Sequence, residues 1–269
     1  MKYFVVSDVH SHYSILKRTL DEKGFSIDGD HILVLLGDAF DRGDETRETA
    51  EFLLSLYDRE KLIYVLGNHE ELLVQCLYQL AIGHDPRDIA LSYHERNGTW
   101  KSLLALAEMT ESEAIANPRA LVEAVMETRV YRELLASCVD CFETDRFVFT
   151  HGFIPCTETG VAPHVGYAYN PDWREASPEE WKLARWHNGV ALAVEQHIRE
   201  PHKTIVCGHW HTSEFHSKYE QKGSQWGEDA DFSPFYSESA GVIGINACTA
   251  YSKTMNCLVY DTAELWGFE

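Results

Sequence analysis

Residues 63–73 read IYVLGNHEELL: an apolar run from Ile63 to Leu66, then Gly67, Asn68, His69, Glu70 and Glu71. A short apolar run bounded by glycine is the pattern of a buried strand. The end of this one carries an amide, an imidazole and two carboxylates, groups that are costly to bury without partners. The same juxtaposition recurs along the chain. Tyr3–Val6 is followed by SDVHSH with Asp8 and His10, and Ile32–Leu36 by GDAFDRGDE with Asp38, Asp41 and Arg42. Phe147–Phe149 is followed by THGF with His151, and Thr204–Cys207 by GHWH with His209 and His211. In open α/β sheets, ligands bind beyond the carboxyl ends of strands. Five strands, Leu62–Leu66 among them, therefore deliver acids, imidazoles and an amide to one edge, and residues 63–73 form one wall of a shared site.

Two further apolar runs, Val242–Ile245 and Cys257–Tyr260, complete the strand set. Most of these runs lack strict alternation, as strands covered on both faces do. Helical patterns at Ser14–Lys23 and Glu45–Tyr57 lie between the first strands, so the expected class is α/β. After the third strand the pattern changes and is helical almost throughout residues 70–137. EELLVQCLYQLAI is amphipathic, TESE at 110–113 has capping-box form, and Asn117 caps a helix with Pro118 at its first position. This predicts a single domain over 1–269 with a helical insertion at about 71–140. Another helix is expected to start at Ser177, with Glu180 closing its box. Residues 152–176 and 212–241 have loop composition, and loops of that length are often functional.

Lys and Arg number 23 against 43 Asp and Glu, a net charge of −20. That sign disfavours long nucleic acids and anionic membranes. Bound cations would offset it locally, which leaves phosphorylated small molecules, nucleotides and phosphoproteins open as substrates. Seven cysteines, an odd number, show no bridging framework; Cys138-x-x-Cys141 stands alone and reads as reduced thiols. The apolar run at Tyr3–Val6 is too short for a signal peptide and no stretch reaches membrane-spanning length, so a cytoplasmic protein is expected. Oligomeric state is left open.

Carboxylates, imidazoles and one amide, with no thiolate, suit divalent cations such as Mn, Fe or Zn rather than a cysteine-based structural zinc. The donors are too many for one ion, and two ions sharing a carboxylate would use them all. Paired cations recur in phosphate-ester hydrolysis. Each fragment alone is weak; GDAFDRGDE by itself reads equally as a charged turn capping the helix near Glu45. Five fragments, each at a strand end, make coincidence a poor explanation. Trp181 and Trp186 read chiefly as core aromatics.

Asp8-x-His10, Gly37-Asp38-x-x-Asp41-Arg42-Gly43, Gly67-Asn68-His69-Glu70, His151-Gly152 and Gly208-His209-x-His211 together resemble the calcineurin-like metallophosphoesterase superfamily. The second and third motifs resemble its phosphoprotein-phosphatase branch, which also holds bacterial and phage phosphatases and symmetrical dinucleoside-tetraphosphate hydrolases. NGTW at 97–100 is similar to an N-G-G-x-W stretch of bacterial members. The resemblance implies a four-layer α/β/β/α sandwich with a site for two divalent metal ions at the sheet edge. Asp8, His10 and Asp38 would hold one ion; Asp38, Asn68, His151 and His209 would hold the other, and His211 would reach the first. It further implies phosphomonoester hydrolysis by a hydroxide between the ions. Arg42 would bind the phosphoryl oxygens, His69 would protonate the leaving oxygen, Asp41 would orient His69, and Arg185 would be a second substrate contact. A dinucleoside-polyphosphate hydrolase, a phosphodiesterase or nuclease, and a non-catalytic binding module remain alternatives. Ser11 and Phe153 stand where glycine is usual, and Asn246 and Ala247 where Asp and Gly are typical. These departures bear on the substrate rather than on the cation site.

Overall fold

The structure, a computed structural model, describes residues 1–161 and 164–262. The strands are β1 (Lys2–Val6), β2 (His31–Leu36), β3 (Leu62–Val65), β4 (Cys141–Glu143), β5 (Phe147–Thr150), β6 (Cys156–Val161), β7 (His164–Tyr169), β8 (Thr204–His211), β9 (Phe235–Ser237), β10 (Val242–Asn246) and β11 (Leu258–Asp261). The helices are α1 (Tyr13–Glu22), α2 (Thr46–Tyr57), α3 (Asn68–Ala81), α4 (Pro86–Ala90), α5 (Tyr93–Asn97), α6 (Thr99–Ala107), α7 (Glu111–Ala116), α8 (Pro118–Glu127), α9 (Pro178–Ala184), α10 (Gly189–Glu195), α11 (Thr212–Tyr219) and α12 (Thr249–Ser252).

One sheet has the order β11-β1-β2-β3 and a second the order β4-β5-β8-β10-β9. Residue parity explains how they assemble. Side chains alternate across a strand. Phe4, Val6, Leu33 and Leu35 point to one side of the first sheet and join Leu16, Leu53, Leu73, Trp100 and Leu121 of the helices in one core. Val5, Val34, Leu36 and Val65 point to the other side, where they meet Phe149, Val206, Ile243 and Ile245 of the second sheet. Val148, Ile205, Cys207 and Val242 then face Trp181, Val190 and Phe215 of α9, α10 and α11 in a third core. Helix, sheet, sheet, helix is the result, the expected four layers. Strands buried on both faces also account for the missing polar alternation.

Parallel pairing sets where the chain leaves each strand. Val6 lies opposite Leu35, and Leu36 opposite Val65, so the segments after β1, β2 and β3 emerge side by side. In the second sheet Thr150 lies opposite Cys207, and the Gly208 N–H donates to the His151 carbonyl at 2.8 Å. Helices α3 to α8, a π-helical turn at Val130–Leu134 and a 3-10 turn at Leu135–Ser137 fill the excursion after β3. The capping boxes at Thr110–Glu113 and Ser177–Glu180 form, and Asn117 accepts from the Ala120 N–H. The excursion ends where it began: Val139 pairs with Val65, and its N–H and carbonyl bond to Tyr64 and Leu66 at 2.9 and 2.8 Å. Two residues later the chain enters β4 of the other sheet.

The two stretches read as loops are more ordered than their composition suggests. Residues 152–176 contain the β6–β7 hairpin, and residues 212–241 contain α11 and β9. All seven cysteines are free thiols. Among the described residues no helix is long and apolar enough to cross a membrane.

The layer between the sheets generates a stability prediction. Phe149 is wholly buried there and stacks on Phe142 with ring centroids 5.7 Å apart. Phe149→Ala should lower the unfolding free energy in urea by about 3–5 kcal/mol. Tyr236→Ala, at an exposed position of edge strand β9, should cost less than about 1 kcal/mol.

Candidate metal centre

The turns after the strands are tight. Asp8, His10, Ser11, Asp38, Asp41, Arg42 and His209 all have φ between 49° and 75°, the left-handed region that costs non-glycine residues energy. Such strain, of order 1–3 kcal/mol per residue, persists only where surroundings over-determine it. Here they do. His10 and Ser11 donate backbone N–H bonds to the carbonyls of Asp38 and Ala39, at 2.9 and 2.8 Å. The buried Glu70 carboxylate accepts from the N–H groups of Asp38, Ala39 and Gly67 at 2.9, 2.9 and 3.0 Å, and from the Tyr64 hydroxyl at 2.6 Å. One side chain thereby ties the ends of β2 and β3 to the first turn of α3. Glycine is required at 67 because a Cβ there would overlap Asp38 Oδ1.

Asp38 stands between two sets of donors, His10–Asp38–His69 and Asp38–His151–His209, each set lying within 4.8 Å. The tautomers follow from geometry. His10 Nδ1–H donates to the Phe40 carbonyl at 3.0 Å, and His151 Nδ1–H to the Leu36 carbonyl at 2.7 Å. Carbonyls only accept, so each Nε2 keeps a lone pair. His10 Nε2 is buried with no hydrogen-bond partner, 3.8 Å from Asp8 Oδ1 and 3.7 Å from Asp38 Oδ2. His151 Nε2 lies 2.8 Å from Asn68 Oδ1 and 3.4 Å from Asp38 Oδ1. Lone pairs converging on one another repel, and a cation among them reverses the sign. The donors present therefore fit divalent cations.

Electrostatics agree. Burial pushes the Asp8 carboxyl up to about 6, against the opposing pull of His151 and of the bond from the His209 N–H. Burial and the Glu70 charge raise Asp38 as well, although His69 draws it down. Burial, reinforced by neighbouring cationic groups, holds the His10 and His209 imidazoles well below their usual value. Neutral imidazoles and carboxylates short of compensating charge are what a bound cation needs.

Asp8, His10, Asp38, Asn68, His151 and His209, expected together, are brought together. Asp8 also accepts the His209 N–H at 3.0 Å, across the two sheets. His69 Nδ1–H donates to Asp41 Oδ2 at 2.7 Å, and its Nε2 accepts from Arg42 Nη2 at 3.1 Å. Burial lowers the His69 imidazole, but Asp38 and the Asp41 bond outweigh it and the net shift is upward. His211 lies outside both donor sets; its ring packs on Trp226 with centroids 4.6 Å apart. Arg185 is buried and bound to Glu71 and Asp140 at 2.8 and 2.7 Å, so contacting substrate would require it to give up ion pairs. Trp181 is core, whereas Trp186 is partly exposed with its ring 5.8 Å from that of His209.

Several residues support the site from outside the donor sets. Thr99 Oγ1 donates to Asp41 Oδ2 at 2.7 Å, and the Asp41 N–H donates to Ser102 at 3.0 Å. Asn246 Nδ2 donates to the His209 carbonyl at 2.8 Å, while its Oδ1 takes the Cys248 N–H at 2.7 Å. Glu70 had a legible signal: an acid three residues after a glycine at a helix start, the N3 place of a capping box.

Glu70→Gln would turn an amide N–H₂ toward donors that need an acceptor. The variant should lose about 2–3 kcal/mol of stability in urea and bind manganese about 10–100-fold more weakly by calorimetry. Unchanged values of both would remove Glu70 from its positioning role.

The family profile for calcineurin-like phosphoesterase matches residues 1–213. Among curated proteins, the asymmetrical bis(5′-nucleosyl)-tetraphosphatase PrpE of Bacillus subtilis (strain 168) is 30% identical over 76 residues, 26% of this chain and 31% of that protein. Serine/threonine-protein phosphatase 2 of Salmonella typhimurium is 43% identical over 67 residues, 25% of this chain and 28% of that protein. The chain thus spans under a third of the length of these relatives. Among solved structures, a candidate diadenosine tetraphosphatase is 14% identical with a TM-score of 0.50, covering 96% of this chain and 89% of that one. A cold-active protein-tyrosine phosphatase of a psychrophilic Shewanella is 17% identical with a TM-score of 0.50, covering 97% and 75%. The solved structures share the fold; the profile spans most of the chain and includes every donor described above, and the protein belongs to the calcineurin-like phosphoesterase family.

Proposed function

We propose that the protein is a phosphomonoesterase that works with two divalent cations, held by Asp8, His10, Asp38, Asn68, His151 and His209. The observation that carries the reading is the Asp41–His69–Arg42 chain beside Asp38. Cations bound at the donor sets supply positive charge that polarises a phosphoryl group and acidifies water. The chain's own residues do the rest. Arg42, exposed at the mouth, presents a planar fork suited to phosphoryl oxygens. Engaging phosphate frees His69 Nε2 from Arg42, and the freed nitrogen takes up a proton from water, in keeping with the net upward shift of this imidazole. Asp41 fixes Nδ1–H and stabilises the imidazolium, so Nε2–H is the proton given to the leaving oxygen. Thr99 keeps the Asp41 carboxylate from rotating away, and Ser102 holds the Asp41 backbone N–H.

Hydrolysis of a dinucleoside polyphosphate is a second reading, favoured by the name of the Bacillus relatives. A phosphate-release assay with p-nitrophenyl phosphate, phosphopeptides and diadenosine tetraphosphate separates the two.

With manganese, p-nitrophenyl phosphate should turn over, bis(p-nitrophenyl) phosphate should lag well behind, and a chelator should abolish both activities until manganese is restored. His69→Asn should lower kcat by about 10²–10⁴-fold while manganese content stays at about two ions per chain. A variant that keeps full turnover removes the acid role, and one that holds a single ion makes His69 a ligand instead.

A further inference from the structure

Arg185 follows the last turn of α9 and is buried, although arginine is rarely buried without partners. Its partners lie elsewhere in the fold. Nη1 donates to Glu71 Oε1 on α3 at 2.8 Å, and Nη2 to Asp140 Oδ1 at 2.7 Å, one residue beyond Val139. A buried ion pair often stabilises a fold no better than apolar residues of similar volume, and its better-attested use is to fix one arrangement. A guanidinium suits that use, because its planar fork sets direction as well as distance.

The arrangement fixed here is a closed circuit of contacts. From Arg185 it passes through Glu71 to Asn68, one turn earlier on α3. Asn68 Oδ1 lies 2.8 Å from His151 Nε2, which belongs to the other sheet. The chain then runs through Gly152 to Phe153, whose N–H donates to the Ala184 carbonyl at 3.0 Å. Ala184 precedes Arg185, and the circuit is complete. Gly152 is pressed against the same helix end: a Cβ there would lie 2.5 Å from the carbonyl oxygens of Ala184 and Arg185. Burial raises the Glu71 carboxyl, against the pull of Arg185, Lys182 and His151, so Glu71 also lies within electrostatic reach of His151.

One step of the circuit is repulsive. His151 gives its Nδ1–H to the Leu36 carbonyl, so the Nε2 lone pair faces the Asn68 oxygen. These two atoms are donors to the same candidate cation, and every other step is a covalent link or a hydrogen bond. The Leu36 bond holds His151 in place. The Arg185–Glu71 pair holds the helix that carries Asn68 against it.

We propose that Arg185 is a positioning residue: by clamping α3 to the end of α9 through Glu71, it preorganises Asn68 and His151 for one of the two cations. The proposal rests on the two-cation reading and gives Arg185 no contact with substrate.

The test uses the full-length protein with manganese as the probe. In calorimetry, Arg185→Met and Glu71→Gln should each weaken one of the two manganese sites by about 10–100-fold and leave the other alone. The double variant should bind no more weakly than the poorer single variant, since either change opens the same circuit. Turnover of p-nitrophenyl phosphate should fall at limiting manganese and return at saturating manganese, with KM for the ester held. In the metal-free protein, the Phe153 amide should exchange its hydrogen about tenfold faster in both variants. Glu71 is partly exposed, so Glu71→Gln carries the test if Arg185→Met does not fold. A raised KM in Arg185→Met at saturating manganese, with manganese affinities and Phe153 exchange unchanged, would make Arg185 a substrate contact and overturn the clamp. Unchanged affinities and exchange in Glu71→Gln would overturn it as well. Faster Phe153 exchange in the variants of a parent that binds fewer than two manganese ions would keep the clamp and overturn the two-cation reading.

Discussion

A single buried carboxylate organises the centre of this protein. Glu70 takes hydrogen bonds from the turn after β2, the turn after β3 and the Tyr64 ring, and it sits on the first turn of α3. Those three segments supply Asp38, Asn68, His69 and, through the same turn, Asp41. Without a four-fold acceptor at this point, the backbone N–H groups of Asp38, Ala39 and Gly67 would be buried unsatisfied, at about 1–3 kcal/mol each. The left-handed conformations of Asp38, Asp41 and Arg42 are tolerable because Glu70 and the paired backbone leave them no alternative.

The second sheet closes the site by a different device. His151 reaches across to the Leu36 carbonyl, and Asp8 accepts the His209 N–H. Both bonds run between sheets, so the apolar layer of Val5, Val34, Phe149 and Val206 beneath them sets the separation of the donors. Packing and chemistry are linked here: a sheet-to-sheet spacing fixed by Val, Leu, Ile and Phe side chains becomes the spacing of imidazoles and carboxylates at the rim.

Much of this was legible in the sequence because the informative residues stand at strand ends. Gly after a short apolar run locates the turn, and Asp, Asn or His next to it locates the donor. Burial on both faces was also readable, since runs such as HILVLL show no polar alternation. What escaped was set by tertiary contacts. TSEFHSKY reads as loop because polar residues dominate it, yet Phe215 is buried against Phe235 and holds the helix in place. The β6–β7 hairpin lacks the Asn-Gly signal of a tight turn. Nothing in KLARWHN announces the ion-pair partners of Arg185, which are Glu71 and Asp140, far away in the chain. The support of Asp41 by Thr99 and Ser102 is equally invisible, since hydroxyls carry no pattern.

The pairing of Val139 with Val65 closes the long helical excursion on itself. Its two ends lie at neighbouring strand positions, about 4.8 Å apart across the pair. The excursion is therefore a detachable cassette in topological terms: the polypeptide departs and returns at one doorway. Material added or trimmed away from α6, whose Thr99 and Ser102 bond Asp41, changes the length of the detour without moving the doorposts. Through α6 the detour stays tied to the cation-binding rim, and only the helices away from Asp41 carry surface that does not bear on the chemistry.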